Sequence, residues 1–445
     1  FIRQEIYNNG IIDISNGYEA YIIYTSGSTG TPKGSPISHK NFAAMIYAQS
    51  TYYDINPEDR ALFFSSVSFD ASVLEMFIPL CNGATLVVAN EIQRHDPILL
   101  SQLVNEEKIS SINFPPVMLS AMPEIEFPSL RLVVIGGDRT PHRVFERWRK
   151  ICKLYNGYGP TESCVVTHRY LVEDGFEDGD IGLPLPTVSC YVLDDNMNIV
   201  PDYVEGELYI GGLQLMNGYI NRPELNAKVL IDNPFVSEED RKAGINLRIY
   251  KSGDRVLRRS DGHLIFKGRK DNQVKLRGFR MELDEIEKLI LKHSLVEQAV
   301  VIVFNNNIYA FIQPQKDIDE NHLKTELKKL CKKTLPSYMV PAKWIVMESL
   351  PINNSGKIDR KKLQSDINTF ISSEDGNEDY SEVKDSTASV PQTYAESSIL
   401  QIAREILNDN SISIETDLFE AGMNSLDVMT LVGKINSLGL AETTV

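Results

Sequence analysis

The sequence lacks a long apolar run, since no hydrophobic stretch reaches the roughly 18 residues that a membrane-spanning helix needs. Its first ten residues, FIRQEIYNNG, carry no signal-peptide pattern. Cysteine is scarce: the five cysteines are scattered, odd in number and never spaced as C-x-x-C, which argues against disulfides and a zinc site. We therefore expect a cytoplasmic protein with reduced thiols and no membrane partner.

Positive charge is also in short supply. The chain carries 45 Lys and Arg residues against 61 Asp and Glu residues, a formal net charge of −16 at pH 7. Such a balance argues against nucleic acid or an anionic membrane surface as the main partner. With 42% hydrophobic residues among 445, the chain is long enough for about three domains that each bury a core.

Two blocks of mixed helix and strand pattern come first. Residues 1–270 alternate short Val, Ile and Tyr runs with helical segments, which predicts a large α/β subdomain of parallel-rich sheets covered by helices. Residues 271–370 predict a small α+β subdomain. The predicted helices lie at 41–49, 99–106, 282–292 and 320–332, and the predicted strands at 84–88, 112–114, 299–304 and 308–313.

The last part of the chain has a different composition. Residues 371–391, ISSEDGNEDYSEVKDSTASVP, hold few apolar side chains and many acidic and hydroxyl ones, so we expect a flexible linker. In residues 392–445, apolar side chains recur twice at helical spacing, which predicts part of a small all-α bundle. The two stripes are Ile399, Leu400, Ala403, Ile406 and Leu407, then Val428, Leu431, Val432 and Ile435.

Residues 24–34, YTSGSTGTPKG, predict a phosphate-binding loop directly after an apolar strand. Three glycines let backbone N–H groups turn inward, and five Ser and Thr residues add hydroxyl donors for a polyphosphate. Lys33 supplies a countercharge. The spacing differs from the Walker pattern G-x-x-x-x-G-K-[ST], because Pro32 precedes the lysine and Gly34 follows it.

Five more segments share one resemblance, and they follow the loop in order. With it they resemble the motifs of the adenylate-forming superfamily, specifically an adenylation domain of a nonribosomal peptide synthetase followed by a peptidyl carrier domain. The resemblance implies ATP-dependent formation of an aminoacyl-adenylate and transfer of the acyl group to a phosphopantetheine thiol. The segments are NGYGPTES at 156–163, YKSGDRV at 250–256, GRKDNQVKLRGFRMELDEIE at 268–287, PINNSGKIDRKKL at 351–363 and DLFEAGMNSLD at 417–427.

The same resemblance implies a nucleotide site. Tyr158 would stack on the adenine, Asp254 would accept hydrogen bonds from the ribose hydroxyls, and Glu162 would hold Mg²⁺, which favours carboxylate and phosphate oxygens. At Phe266 many relatives carry tyrosine, so one polar contact differs here. The full implied ATP set is Thr25, Ser26, Gly27, Ser28, Thr29, Gly30, Lys33, Gly137, Asp138, Asn156, Tyr158, Gly159, Thr161, Asp254, Phe266 and Arg269.

Catalysis is implied for Lys357, Thr161 and Glu162. Lys357 would bridge the attacking carboxylate and the α-phosphate, because a preorganised ammonium group favours the negative transition state. Asp271 would be the hinge about which the small subdomain rotates, bringing the loop around Gly278 into the site for the second step.

The acyl substrate is implied by FDASVLEMF, residues 69–77. Asp70 stands where amino-acid-activating relatives pair a carboxylate with the substrate α-ammonium group. The pocket is mostly apolar with two glycines, which favours a bulky apolar or aromatic side chain, with a hydroxyl or ring N–H that reaches Asn113. The implied pocket residues are Asp70, Ala71, Leu74, Asn113, Val134, Gly136, Gly157, Val165 and Val166.

Ser425 is the implied attachment residue for 4′-phosphopantetheine. A serine at a helix N-terminus suits a phosphodiester, because free N–H groups and the helix dipole face it. Met423 and Asn424 depart from the more usual glycine and aspartate or histidine. The implied partners are a phosphopantetheinyl transferase and neighbouring synthetase domains, and we expect the chain to be a fragment, since relatives are longer at both ends.

Other interpretations stay open. An acyl- or aryl-CoA ligase would use free coenzyme A and need neither Asp70 nor Ser425. An inactive carrier or docking scaffold of a megasynthase would need no catalysis. At single positions, Glu162 could be a solvated turn carboxylate, Asp70 a helix cap, Lys357 a solvated lysine and Ser425 a plain N-cap.

Overall fold

The computed structural model describes most of the chain, and these residues form two compact units. The first contains the described residues of Phe1–Thr25, Pro32–Asn90 and Leu100–Asp271, and the second those of Ser26–Thr31, Glu91–Leu99 and Asn272–Val445. No helix within the described part combines the length and apolar character needed to cross a membrane. The described residues are 18–27, 31–276, 279–305, 307–315, 318–352, 358–367, 369–370, 393–407, 412–416, 418, 423, 428, 431–432 and 434–435.

Helices and strands alternate through the part of the chain before residue 272. In chain order they are β1 Glu19–Thr25, β2 Lys33–Ser38, α1 His39–Tyr53, β3 Arg60–Phe63, α2 Ala71–Cys81, β4 Thr85–Val88, α3 Glu91–His95, α4 Pro97–Glu106, β5 Ser111–Phe114, α5 Pro116–Ala121, β6 Leu132–Gly136, α6 His142–Trp148, β7 Lys153–Tyr158, β8 His168–Leu171, β9 Asp180–Pro184, β10 Val188–Leu193, β11 Glu205–Gly212, α7 Pro223–Val229, β12 Leu230–Asp232, α8 Glu238–Ala243, β13 Arg248–Arg258 and β14 Leu264–Arg269.

After residue 272 the described elements are fewer. They are β15 Gln273–Leu276, β16 Phe279–Glu282, α9 Leu283–Ile290, β17 Val296–Phe304, β18 Asn307–Pro314, α10 Glu320–Thr334, β19 Lys343–Val346, α11 Arg360–Ser365 and α12 Tyr394–Leu407.

The first unit is built on a twelve-stranded sheet in the order β10-β11-β13-β14-β9-β8-β7-β6-β5-β3-β4, with β12 beside β13. Strands β3 to β7 pair in parallel, as the alternating pattern predicts. Their sequences are near-continuous apolar runs, LVVIG in β6 for example, because helices cover both faces of a parallel sheet.

Within this sheet, strands β8 to β14 pair antiparallel, which the prediction of parallel-rich sheets across residues 1–270 did not include. Residues 153–212 are all described, and only the one-turn helix Thr161–Ser163 interrupts their strands. Since parallel pairing needs a long crossover, usually a helix, these strands pair antiparallel instead. The α/β fold class is confirmed, with an antiparallel half added to the parallel one.

The second unit contains the predicted α+β arrangement. Strands β17, β18 and β19 form one sheet, and β15 pairs with β16. Alternate residues of β17 enter different cores: Val301 packs with Ile286 of α9 and Leu327 of α10, whereas Val300 packs in a second cluster with Leu363. The sheet is therefore apolar on both faces.

A partly buried ion pair holds the start of α11 against α9. Arg360 Nη2 donates to both carboxylate oxygens of Glu287 at 2.7 and 2.8 Å, and its Nη1 donates to the Val301 carbonyl at 2.8 Å. Burial raises the pKa of Glu287, and the positive charge of Arg360 opposes that shift. These bonds fix the segment that follows residue 357.

The last described residues pack as a helical cluster. Ile402 and Ala403 of α12 are buried against Met423, Leu431 and Ile435. Ile399, Ala403 and Ile406 of the first predicted stripe share this core with Val428, Leu431 and Ile435 of the second. Met423, which departs from the usual glycine, places its side chain in that core and donates its N–H to the Leu418 carbonyl at 2.8 Å.

Candidate functional site

The predicted phosphate loop connects two paired strands. β1 and β2 are antiparallel, with Thr25 opposite Lys33, so the loop closes a hairpin rather than opening a helix as a Walker loop does. Lys33 is 9% exposed, and its Nζ lies 3.8 Å from Glu162 Oε1. Ser28, Thr29 and Gly30 lie outside the described residues.

Ser26 and Gly27, at the start of the loop, cluster with the second unit. Ser26 Oγ donates to the Arg280 carbonyl at 3.2 Å, and the Gly27 backbone hydrogen-bonds to Glu285. Burial raises the pKa of Glu285, and the bond from Gly27 opposes that shift. In this structure, two predicted phosphate-binding residues therefore have protein partners.

Glu162 is presented by a tight turn that runs from Gly159 to Thr167. A Cβ atom on Gly159 would lie 2.4 Å from the Val165 carbonyl oxygen. The two backbone segments of the turn therefore approach each other so closely that only glycine fits at residue 159. Cys164 and Val165 have φ values of 59° and 70°. That region is unusual for a β-branched residue and costs about 1–3 kcal/mol, as is common near functional sites.

The Glu162 side chain is wholly buried, so its interpretation as a solvated turn carboxylate is wrong. Lys33 is its cationic partner, and the Tyr219 hydroxyl donates to the same oxygen, Oε1. The Glu162 carbonyl also accepts the Met216 N–H at 2.9 Å. Tyr219 lies outside the segments singled out in the sequence analysis, which missed it.

Thr161 and Asp70 meet beside Glu162. Thr161 Oγ1 donates to Asp70 Oδ2 at 2.6 Å. Asp70 precedes α2, but its side chain makes no capping hydrogen bond, which removes the helix-cap interpretation. Nearby, the Tyr21 hydroxyl and Cys164 Sγ are 3.3 Å apart, and burial raises the pKa of Tyr21, with Asp70 adding to the shift. Sequence reasoning missed both residues.

The predicted ribose-binding residues form a connected group. Asp254 is 5% exposed and accepts hydrogen bonds from the Tyr158 hydroxyl and from Arg269 Nη1. Arg269 also donates to both carboxylate oxygens of Asp271, the predicted hinge residue, at 2.7 and 2.8 Å. The Phe266 and Tyr158 ring centroids are 6.4 Å apart. One guanidinium therefore connects the ribose position to the hinge.

The remaining predicted adenine-slot residues have individual surroundings. Gly137 has φ +87°, and a Cβ there would meet nothing within 4 Å, which leaves open space beside it. Asp138 accepts the Arg139 N–H at 2.7 Å. Asn156 donates to the Asp180 carbonyl at 2.8 Å, so its amide joins β7 to β9.

The predicted acyl pocket is brought together around two glycines. Gly136 and Gly157 are opposite each other in β6 and β7, and a Cβ on Gly136 would lie 2.6 Å from the Gly157 carbonyl oxygen. A Cβ on Gly157 would make ordinary contacts with Val166 and Val134. Leu74, Val134, Val165 and Val166 belong to one buried cluster, and Ala71 follows Asp70 at the start of α2.

The polar end of the pocket contains a glutamate that sequence reasoning missed. Glu75 is 4% exposed and accepts the N–H groups of Phe64 and Ser65 at 2.8 and 2.7 Å. Asn113 Nδ2 lies 3.5 Å from Glu75 Oε1, and a cavity of about 40 Å³ is lined by Glu75, Asn113, Leu74 and Val134. A carboxylate within an otherwise apolar helix was the available sequence signal.

The residues present fit a Mg²⁺-bound nucleotide. Thr25 Oγ1 and Ser163 Oγ are buried hydroxyl oxygens without a hydrogen-bond partner in the described part of the chain, and they neighbour the strand of Lys33 and the turn of Glu162. Orphaned donors beside a lysine suit phosphate oxygens, and one buried carboxylate suits magnesium. Considering described residues only, no group of three or more His, Cys, Asp or Glu could hold a metal ion.

Several predicted residues cannot be placed. Lys357, Gly278 and Ser425 lie outside the described residues. Their roles stay predictions, and so does the linker at 371–391.

Three sequence families match this chain. The AMP-binding enzyme family matches residues 13–220, the AMP-binding enzyme C-terminal domain matches residues 285–357, and the phosphopantetheine attachment site matches residues 397–440. The matched regions fall in the order that the motifs predict.

Curated relatives are peptide synthases. The chain is 35% identical over 428 residues to gramicidin S synthase 2 of Brevibacillus brevis, covering 94% of this chain and 9% of that protein. It is 32% identical over 444 residues to the dimodular nonribosomal peptide synthase of Bacillus subtilis strain 168, covering 98% of this chain and 18% of that protein. The chain thus spans well under half the length of these relatives.

Solved structures share the fold. Holo-PA1221, a nonribosomal peptide synthetase protein with adenylation and PCP domains bound to a vinylsulfonamide inhibitor, matches with a TM-score of 0.76 at 26% identity, covering 96% of this chain and 69% of that one. The Vibrio cholerae adenylation domain AlmE, in complex with glycyl-adenosine-5′-phosphate, matches with a TM-score of 0.69 at 26% identity, with coverage of 79% and 66%.

The turn geometry generates a prediction. Gly159→Ala must displace the turn that carries Thr161 and Glu162, so we expect a loss of about 1–3 kcal/mol in stability and a marked loss of Mg·ATP binding, measured by calorimetric titration. Gly157→Ala is the matched control, because its added methyl group makes ordinary contacts and should leave Mg·ATP binding intact. Equal binding by both variants would contradict the account of the turn.

Proposed function

The chain belongs to the AMP-binding enzymes and carries a phosphopantetheine attachment region, and from that premise we propose that it activates an amino acid as its adenylate and loads it on a carrier thiol. The observation that best supports the proposal is the pair of contacts made by Thr161 and Glu162. These consecutive residues contact Asp70 and Lys33 respectively. The expected ammonium position and the expected phosphate position are therefore neighbours, as attack of a carboxylate on the α-phosphate requires.

In the proposed first step, a carboxylate oxygen of the amino acid attacks the α-phosphorus and pyrophosphate leaves. Asp70 holds the α-ammonium group, and Thr161 hydrogen-bonds to the α-phosphate. Lys33 and the loop hydroxyls offset the charge of the other phosphates. Asp254 and Arg269 hold the ribose, which requires Asp254 to exchange protein donors for sugar hydroxyls.

Glu162 is the residue that would hold magnesium. The ion would offset negative charge on the phosphate oxygens, which is the usual contribution of Mg²⁺ in phosphoryl chemistry. Burial of Glu162 keeps its carboxylate out of water, so its attraction for a cation is strong.

Lys357 is the proposed mobile cation of the first step. Arg360, three residues further along the chain, is paired with Glu287 of the small subdomain. Rotation of that subdomain is the proposed motion that brings Lys357 into the site and withdraws it. Asp271 is the proposed hinge. Because Arg269 joins Asp271 to Asp254, a sugar bound at Asp254 would alter the bonds that hold the hinge residue.

In the proposed second step, the phosphopantetheine thiol on Ser425 takes the acyl group and AMP leaves. Met423, two residues before Ser425, packs in the helical core with Ile402 and Ala403. A phosphopantetheinyl transferase would install the arm, neighbouring synthetase domains would receive the product, and the reaction would occur in the cytoplasm.

The pocket supports a bulky apolar or aromatic amino acid. Its walls are Leu74, Val134, Val165 and Val166, and Gly157 leaves room for a side chain. Glu75 orients the Asn113 amide, so a substrate hydroxyl or ring N–H could meet a fixed acceptor there.

A CoA ligase acting on plain carboxylic acids is the second candidate, and a panel separates it from the first. In an ATP–pyrophosphate exchange assay, bulky apolar or aromatic amino acids should stimulate exchange more than the same acids without the α-amino group. We expect this preference because only an amino acid offers Asp70 an α-ammonium group to pair with. Preference for the plain acids would favour the ligase, and exchange with neither would favour the inactive scaffold.

Lys357→Ala should abolish amino-acid-dependent pyrophosphate exchange, with a fall of about 10²–10³-fold or more, because the transition state loses its preorganised cation. Thiol transfer from a supplied aminoacyl-adenylate should continue. Lys361→Ala is the matched control, since Lys361 is an exposed lysine of the same segment. Wild-type exchange in Lys357→Ala would refute the assigned role.

Ser425→Ala should form adenylate at the wild-type rate but carry no covalently bound amino acid. Radiolabelled loading of the chain, after treatment with a phosphopantetheinyl transferase, measures the difference. Ser397→Ala, at an exposed position of α12, should load normally. Persistent loading of Ser425→Ala would overturn the carrier assignment.

A further inference from the structure

We infer that Tyr219 is a positioning residue that sets the orientation in which Glu162 accepts a divalent cation. The inference rests on the proposed function, because it concerns the magnesium residue of that site. Tyr219 belongs to none of the motifs that suggested the function. It reaches Glu162 from a segment 57 residues further along the chain.

The Glu162 carboxylate is held by one hydroxyl donor and one nearby ammonium group. Glu162 is wholly buried, and its Oε1 accepts the Tyr219 hydroxyl and lies 3.8 Å from Lys33 Nζ. A hydroxyl donor orients a carboxylate without neutralising it, whereas a second close cation would compete with the metal. The phenol therefore supplies orientation without cancelling the negative charge of the carboxylate.

The backbone of Tyr219 is itself held in place by the Asn226 side chain. Its N–H donates to Asn226 Oδ1 at 2.8 Å, and its carbonyl accepts Asn226 Nδ2 at 3.0 Å. Gly218 lies so close to this amide that a Cβ there would be 2.8 Å from Asn226 Nδ2. A side chain at the start of α7 thus determines where the Tyr219 backbone lies.

Residues 216–220, the segment that contains Tyr219, also hydrogen-bond to the backbone of Glu162 and to the backbone next to Lys33. Met216 N–H donates to the Glu162 carbonyl at 2.9 Å, and Ile220 N–H donates to the Gly34 carbonyl at 3.1 Å. Gly34 follows Lys33 directly. We call residues 216–220 the brace, because they join the strand of Lys33 to the turn of Glu162.

The ring of Tyr219 contributes as well. Lys33 Nζ lies 5.0 Å from the ring centroid, within the range of a cation–π contact. The ring therefore helps to hold the ammonium group, while the hydroxyl holds the carboxylate. Removal of the hydroxyl alone separates these two roles.

The test is Tyr219→Phe on the full chain, titrated with ATP by calorimetry at increasing MgCl₂ concentrations and again in EDTA. The half-saturating Mg²⁺ concentration should rise about 10- to 100-fold, the usual effect of losing a group that orients a metal ligand. ATP affinity in EDTA should not change, because the ring and Lys33 remain. A purely structural role would weaken binding equally in both conditions, and that result would overturn the inference.

Three further variants make the outcome unambiguous. Tyr209→Phe removes the hydroxyl of another buried tyrosine, in a separate cluster with Leu193 and Ile249, and should behave as wild type. Asn226→Ala releases the brace and should also raise the Mg²⁺ requirement, which keeps the test available if Tyr219→Phe fails to fold. Glu162→Gln should lose the Mg²⁺ dependence altogether.

The two levels of the account can fail separately. If Glu162→Gln retains the wild-type Mg²⁺ dependence, the proposed magnesium role is wrong. If Glu162→Gln loses the Mg²⁺ dependence, but folded Tyr219→Phe and Asn226→Ala retain the wild-type Mg²⁺ dependence, only the inference about the brace is wrong.

Discussion

Burial of the Glu162 carboxylate is the constraint on which the rest of the site depends. An unpaired buried carboxylate costs several kcal/mol, so this one needs partners that hold it in place. Lys33 supplies the charge, and the Tyr219 hydroxyl supplies a directed hydrogen bond. The backbone of the same turn is strained at Cys164 and Val165, which have positive φ values. Close packing of Gly159 against the Val165 carbonyl holds the backbone in this conformation. The buried and oriented carboxylate of Glu162 is therefore suited to the Mg²⁺ ion of the proposed reaction.

The turn of Glu162 also joins two kinds of recognition. Thr161 contacts the carboxylate expected to bind the substrate ammonium, and the next residue contacts the lysine expected to bind phosphate. Neighbouring residues cannot move far apart, so in the proposed reaction one turn would position both the acyl group and the α-phosphorus. Arg269 makes a similar connection between Asp254 and the predicted hinge at Asp271. Positioning in this protein is shared among few, strongly bonded groups.

Local patterns in the sequence predicted a large part of this arrangement. Apolar periodicity placed the helices near α1, α4, α9 and α10, and motif resemblance brought together Tyr158, Asp254 and Arg269 before their contacts were seen. Tyr219, Glu75 and Tyr21 escaped prediction because their roles depend on contacts across long stretches of chain. Antiparallel pairing beyond β7 escaped for the same reason, since strand composition alone does not specify the partner. The methionine at residue 423, where glycine is more usual, is explained by the packing of its side chain in the helical core.

The most direct measurement is the position of the metal in crystals grown with Mn²⁺ and a non-hydrolysable ATP analogue, located by anomalous scattering. The account predicts a single peak at about 2.1 Å from a Glu162 carboxylate oxygen, with the Tyr219 hydroxyl still bonded to that carboxylate. A metal held by other protein carboxylates, with Glu162 left paired only to Lys33 and Tyr219, would contradict it.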